Sequence, residues 1–286
     1  MFRKLFGLAA TLEKDNDGIG YEPSPFSKLL AIDSKTDYTK IDFGKTYDKG
    51  DKKVLVICTE QRYMTMENGK KFSSGNHPVE LVQPIMHLQN AGFDFDVVTP
   101  TGNPACIEMW ALPRKDQIVL DFFYNTAKPK LDHPLSLVEL MKDMKKLEQY
   151  VLFFTPGGQG AMLGLPDDDN LGKLLEYVKK NDHYLMCVCH GPASFLACQA
   201  DPHPYSGYNL ACFSDSIDKQ TPMIGYLPGV QTWYYGERLI ERGMKIMNTA
   251  ADDMVVEDRK LLSGSSPKAL QKLGKLASER LLETYA

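Results

Sequence analysis

The ten residues LMCVCHGPAS (185–194) open as an apolar run and break abruptly at Cys189-His190-Gly191-Pro192. Tyr184 to Cys189 reads as a buried strand with Cys189 as its last residue. Gly191 follows where a tight turn needs a residue without a side chain, and Pro192 suits the first turn of a helix. A strand that passes this quickly into a helix is one half of a strand-helix-strand unit. The same break sets a cysteine beside a histidine, a pairing that a merely buried thiol does not need.

Outward from this point the pattern repeats. Apolar runs rich in β-branched and aromatic residues recur at VLVICT (54–59), FDVVT (95–99) and VLFFT (151–155). Continuous apolar strands of this length suit a parallel sheet covered on both faces. Helical periodicity lies between them, at Pro78 to Ala91, Leu137 to Leu147 and Leu171 to Lys180, and again at Thr232 to Arg242 and Pro267 to Glu283. The succession predicts an α/β fold, a doubly wound and mostly parallel sheet sandwiched by helices, with right-handed crossovers. Two regions break the alternation. Residues 1–50 read as an irregular arm with a short helix, and Gly102 to Pro134 as a long insertion carrying Trp110, Phe122 and Phe123. Insertions of this length are commonly lids or small subdomains, so the arm and the insertion at about 102–134 are expected to form a small cap on an α/β domain spanning 51–286.

Composition narrows the function classes. A chain of 286 residues with 43% hydrophobic content can bury one large core. Its net charge of −4 and the absence of a Lys/Arg run argue against a nucleic-acid footprint. No stretch approaches the roughly 20 apolar residues that span a bilayer. The N-terminus, MFRKLFGLAATLEKDND, has too short an apolar stretch for a signal peptide and reads as an exposed helix. The six cysteines lack disulfide-framework spacing and are expected to be reduced, in a cytoplasmic protein.

Ligands of open parallel sheets bind beyond the carboxyl ends of the strands, the edge where Cys189 falls. The break resembles a nucleophile elbow, in which a helix N-terminus lowers the thiol pKa. The competing reading is a core cysteine followed by a capping histidine. Cys187, on the same strand face as Cys189, reads as packing. In GNHPVEL (75–81), Pro78 opens a helix, His77 caps it and Glu80 stands third. Glu80 either reaches back as half of a capping box or handles a proton beside Cys189. TPGGQG (155–160) follows another strand, and an amide of Gly157 or Gly158 can complete an oxyanion hole; the alternative is a plain turn. It lacks the glycine spacing and lysine of a phosphate cradle.

Taken in order, NGKKFSSGNHPVE, TPGGQGAMLGLP, CHGPASFLA, DKQTPMIGYLPG and DRKLLSGSSP resemble the PfpI-like superfamily, and more closely its HchA-type branch of glyoxalase III enzymes, protein deglycases and holding chaperones. The resemblance runs from about Val54 to the C-terminus. It implies a flavodoxin-like sandwich with a small cap, usually a homodimer, and cofactor-free chemistry on 2-oxoaldehydes such as methylglyoxal. It assigns the nucleophile to Cys189, its neighbour to His190 and the carboxylate beside the thiol to Glu80. The acid orienting the histidine falls on Asp218, with Asp215 as fallback. The family's metal site of two histidines and a carboxylate falls on Gln89, Asp94 and Thr126, a set too poor in ligands to hold a metal. His87, two residues from Gln89, points elsewhere on a helix.

The resulting expectation is attack of Cys189 on an aldehyde carbon, rearrangement to a thioester assisted by Glu80 and His190, and hydrolysis to lactate. Aldehyde adducts of proteins or nucleotides are further substrates on the same chemistry. The alternatives are a cysteine amidase or peptidase, and a stress chaperone that binds unfolded proteins and needs no thiol. A glutamine amidotransferase fits less well, because Cys187 occupies the position of that elbow's glycine.

Overall fold

In the computed structural model, residues 11–286 are described, and strand alternation sorts the core into two halves. The central strands are β1 (Lys53–Ile57), β2 (Asp94–Thr99), β3 (Leu135–Ser136), β4 (Tyr150–Thr155), β5 (Tyr184–Val188), β6 (Val255–Asp258) and β7 (Leu261–Gly264). They form a seven-stranded sheet in the order β6-β7-β5-β4-β1-β2-β3, parallel throughout except at the β6–β7 pair. Leu55, Ile57, Phe153 and Leu185 point to one face, where they meet Leu171, Leu174, Leu175 and Val178 of α2 (Asp169–Lys180). Val54, Val56, Leu152, Phe154 and Met186 point to the other, against Leu81, Val82 and Ile85 of α1 (Pro78–Asn90) and Leu273, Ala277 and Leu281 of α3 (Leu270–Tyr285). The period of two along each strand is what allows both faces to be covered. At Gly274, α3 lies so close to α1 that a Cβ would stand 3.0 Å from Cα of Pro84.

β1 has β2 on one side and β4 on the other, so the strand order reverses there and opens a crevice at the carboxyl ends. The loops after β1, β4 and β5 all surround that crevice.

Several expected elements change. The helix expected over Leu137 to Leu147 breaks into a turn of α-helix, Leu137–Leu140, and a 3-10 stretch, Met144–Gln149. The bend lets Leu137, Leu140 and Leu147 all reach the core. The insertion 102–134 is largely helical: Gln117–Phe122 runs through a π-helical turn, Phe123–Ala127, into Lys128–Asp132. Val119, Phe123, Ala127 and Leu131 are buried at a spacing of four, one face of a continuous helix. The arm meets this insertion where the Lys115 amide donates to the Ser34 carbonyl and the Thr36 hydroxyl donates to Asp116. It also pairs elsewhere: Glu13–Lys14 and Tyr21–Glu22 join a hairpin of Tyr63–Thr65 and Lys71–Ser73 in a separate four-stranded sheet. The N-terminal helix expected within residues 1–17 lies mostly outside the described residues.

Candidate active site

Cys189 lies one residue past β5, with φ +56°. This left-handed conformation is uncommon for a residue with a side chain. It is held from three directions: the Cys189 amide donates to the Gly264 carbonyl (2.9 Å), and the Cys189 carbonyl accepts from the Phe213 amide (3.0 Å) and the Tyr235 hydroxyl (3.0 Å). The turn swings the side chain off the strand's alternation. Cys187 packs into the α2 half of the core and Cys189 into the other, so the two thiols do not share a face as the strand reading expected. Gly191 completes the elbow, since a Cβ there would lie 2.2 Å from the Thr155 carbonyl oxygen.

The histidine continues the line. Its Nδ1 is 3.2 Å from Cys189 Sγ and its Nε2 is 2.8 Å from Asp218 Oδ2. The ring stacks on Phe213 at 5.0 Å between centroids. The other oxygen of Asp218 accepts from the Gln159 amide nitrogen (3.3 Å), which puts the glutamine of TPGGQG into the same network. Asp215 is used differently: its carboxylate accepts from the amides of Gly236 (3.1 Å) and Glu237 (2.8 Å) at the start of the helix Tyr235–Glu241.

Glu80 approaches the thiol from α1. His77 does cap this helix, its ring nitrogen accepting from the Glu80 amide (3.3 Å). The His77 amide, which a capping box would give to Glu80, instead donates to the Gly157 carbonyl (2.9 Å). The carboxyl is thereby free of capping, and its buried Oε2 makes no hydrogen bond of good geometry. Gly157 is the spacer between the two groups: a Cβ there would stand 1.8 Å from Glu80 Oε2 and 2.6 Å from Cys189 Cβ. Gly158, at φ +93°, turns its amide toward the Glu80 carboxyl.

Burial dominates the electrostatics. It pushes Glu80 up to about 7, against the pull of His190, Cys189 and the Gly158 amide. Burial and then the Glu80 charge raise the Cys189 thiol as well, so the lowered thiol pKa expected from the sequence is corrected here. The physical reason is that the thiol is buried against a carboxyl, and only a 3-10 stretch, Gly191–Ala197, follows the elbow to oppose it. For His190, burial alone favours the neutral ring, but the Asp218 carboxylate outweighs it and raises the pKa.

These groups line a cavity of about 340 Å³ together with His77, Glu108, Phe213, Tyr226 and Lys268. The sequence reading missed Glu108, Gln159 and Tyr226. Gln159 stood within a motif already quoted, whereas Glu108 lies in the insertion with no local signal.

The residues matching the family metal site form a different arrangement. Asp94 Oδ1 accepts from the Lys130 ammonium (3.0 Å) and from the Gln89 amide nitrogen (3.4 Å). Burial pushes this carboxyl up, but the Phe95 amide and Lys130 outweigh it and hold the pKa down. Thr126 lies in the π-helical turn. Two donors on the one carboxylate do not fit a metal. Among the described residues, no group of three or more His, Cys, Asp or Glu side chains is arranged to hold one. His87 faces α3, its Nε2 3.0 Å from Gln271 Oε1.

No family model matches the chain. Its sequence is, however, 42% identical to the protein/nucleic acid deglycase HchA of Escherichia coli over 264 residues, covering 92% of this chain and 93% of that protein. The chain belongs to the HchA deglycase family. Protein/nucleic acid deglycase 1 of Escherichia coli matches with the same identity and coverage. Solved structures share the fold of this HchA relative at lower identity. The rapid encystment protein of Francisella tularensis has a TM-score of 0.66 at 19% identity, over 81% of this chain and 99% of that one. Glyoxalase III of Candida albicans has a TM-score of 0.62 at 22% identity, over 80% and 97%. The protein thus joins membership of the HchA deglycase family to the mostly parallel flavodoxin-like sandwich read from its sequence.

Proposed function

We propose that this HchA relative converts 2-oxoaldehydes, methylglyoxal among them, to 2-hydroxy acids without glutathione or another cofactor, and reverses early aldehyde adducts on proteins or nucleotides. The observation that carries the reading is the pairing of Cys189 with Glu80 across Gly157, backed by the row Cys189–His190–Asp218.

Asp218 accepts the Nε2 proton of His190, which leaves Nδ1 facing sulfur to take and return the thiol proton. The sulfur attacks the aldehyde carbon, and the carbonyl oxygen takes that proton to give a hemithioacetal. The backbone of Gly157 lies against the Cys189 side chain, so its amide is the oxyanion donor of this reading, with Gly158 committed to Glu80. The ionised form of the Glu80 carboxyl removes the hydrogen from the former aldehyde carbon and returns it to the neighbouring carbon. The resulting thioester is hydrolysed by water.

The arm and the insertion 102–134 are assigned to a cap over this cavity. The reading further places the enzyme in the cytoplasm as a homodimer. All six cysteines are free thiols, in keeping with a reducing compartment, and no described helix is long and apolar enough to cross a membrane.

A second reading, binding of unfolded chains, draws on the rim of the cavity. Leu29 and Leu30 of the helix Pro25–Ala31 are exposed beside Met223 and Ile224, where the Ser27 hydroxyl donates to the Ile224 carbonyl.

The test is a panel of methylglyoxal, glyoxal, a methylglyoxal-treated peptide, peptide amides and glutamine, with the wild-type protein and Cys189→Ala. The expected outcome is turnover of the aldehydes and the treated peptide, abolished by the substitution. Turnover confined to amides would replace this reading with the amidase. Protection of unfolded proteins that survives Cys189→Ala, without aldehyde chemistry, would replace it with the chaperone.

A further inference from the structure

We propose that Glu108 is a second acid of this active site, placed to donate a proton to the carbonyl oxygen adjacent to the aldehyde under attack. Glu108 belongs to the insertion yet is only 2% exposed. Its Oε1 accepts from the Ser74 hydroxyl (3.0 Å), and its amide donates to the Asn76 carbonyl (3.1 Å). Between these residues, Gly75 packs so closely that a Cβ would stand 2.6 Å from the Cys106 carbonyl oxygen, which fixes the insertion against the start of α1. The side chain is therefore held where it lines the same cavity as Glu80, Cys189 and His190.

A buried carboxylate is costly unless a cation pairs with it, and such a group tends to keep its proton instead; Glu108 is buried, with the Ser74 hydroxyl on its carboxyl. Burial pushes it up to about 8; the Ser74 hydroxyl opposes this, the Glu80 charge adds to it, and His190 and the Gln159 amide oppose it. Tyr226 also faces it. A buried carboxylic acid that keeps its proton near neutrality and lines the substrate cavity is suited to proton donation.

The inference rests on the 2-oxoaldehyde reading, and the protons then balance. Formation of the carbon–sulfur bond sends the thiol proton to the aldehyde oxygen. Glu80 takes the hydrogen from that carbon while Glu108 protonates the neighbouring carbonyl oxygen, giving an enediol. The neighbouring carbon recovers the proton from Glu80, and the former aldehyde oxygen gives its proton back to Glu108. Hydrogen has moved between adjacent carbons without an external oxidant, leaving the 2-hydroxyacyl thioester.

Glu108→Gln keeps the shape and the contact with Ser74 but cannot give up a proton. The expected result is a kcat for methylglyoxal about 100-fold lower with KM within a few-fold. The fall in wild-type kcat as pH rises through about 8 should disappear from the variant. The rate of Cys189 alkylation by iodoacetamide should not change. A variant with near-wild-type kcat, or one that keeps the alkaline fall, overturns the assignment. Loss of kcat together with altered Cys189 alkylation also overturns it, by making Glu108 a support for the cap. Failure of the underlying reading shows separately, as a wild-type protein that does not consume methylglyoxal.

Discussion

Glu80 sets stability against chemistry within one side chain. Its folded pKa of about 7 lies above the ordinary 4.5, so its contribution to stability is complete below about pH 4.5 and is lost as pH rises through 7. The shift corresponds to on the order of 3 kcal/mol. Glu80→Gln removes this loss, and the variant should melt higher than wild type at pH 8 while its turnover of methylglyoxal falls about 100-fold or more. Melting curves at pH 5 and pH 8 beside the rate settle it; an active variant with wild-type melting at pH 8 would show that the carboxyl carries no buried charge. Gly157→Ala tests the same contact from the other side. A methyl group 1.8 Å from Glu80 Oε2 must displace the carboxyl, and turnover should drop about 100-fold in a folded protein. Full activity in that variant would mean that the Glu80–Cys189 spacing does not matter.

At the scale of elements, the segment Ser214 to Lys219 carries two aspartates with different work. Asp218 is buried on His190, while Asp215 holds the first amides of the helix Tyr235–Glu241. Asp218→Asn should cost about 100-fold or more in kcat with little change in melting temperature. Asp215→Ala should lower stability by about 1–2 kcal/mol and leave kcat within a few-fold. Reversal of these outcomes would move the orienting role to Asp215. The family resemblance ranked Asp218 first and Asp215 as fallback, but nothing in the residues themselves separated the two. They are three apart on one turn, and only the path of the chain from β5 brings one of them to the imidazole.

At the scale of the whole molecule, the ion pair of Lys130 with Asp94 joins the insertion to β2 at the position to which the family resemblance assigns a metal site. EDTA should leave methylglyoxal turnover unchanged and added zinc should not raise it. A rate that falls with chelator and returns with zinc would overturn this arrangement. The strands around the crevice and the break at Cys189 were legible because burial on both sheet faces demands long apolar runs, and a sharp turn demands Gly191. β7, which lies between β5 and β6, was not picked out, since LLSG is too short to show a period. Nor was the helix from Gln117 to Asp132, whose buried residues recur every fourth position among exposed ones.

Local chemistry thus determined the sheet, the elbow and the residue types at its mouth. Tertiary structure alone decided their partners. It freed the Glu80 carboxyl by giving the His77 amide to Gly157, and it chose Asp218 over Asp215. By burying the thiol against a carboxyl, it raised the Cys189 pKa that a helix N-terminus would have lowered. It also brought Glu108 from a distant insertion into the same cavity. Secondary structure follows from interactions a few residues apart, whereas pKa values and hydrogen-bond partners follow from which groups exclude water together.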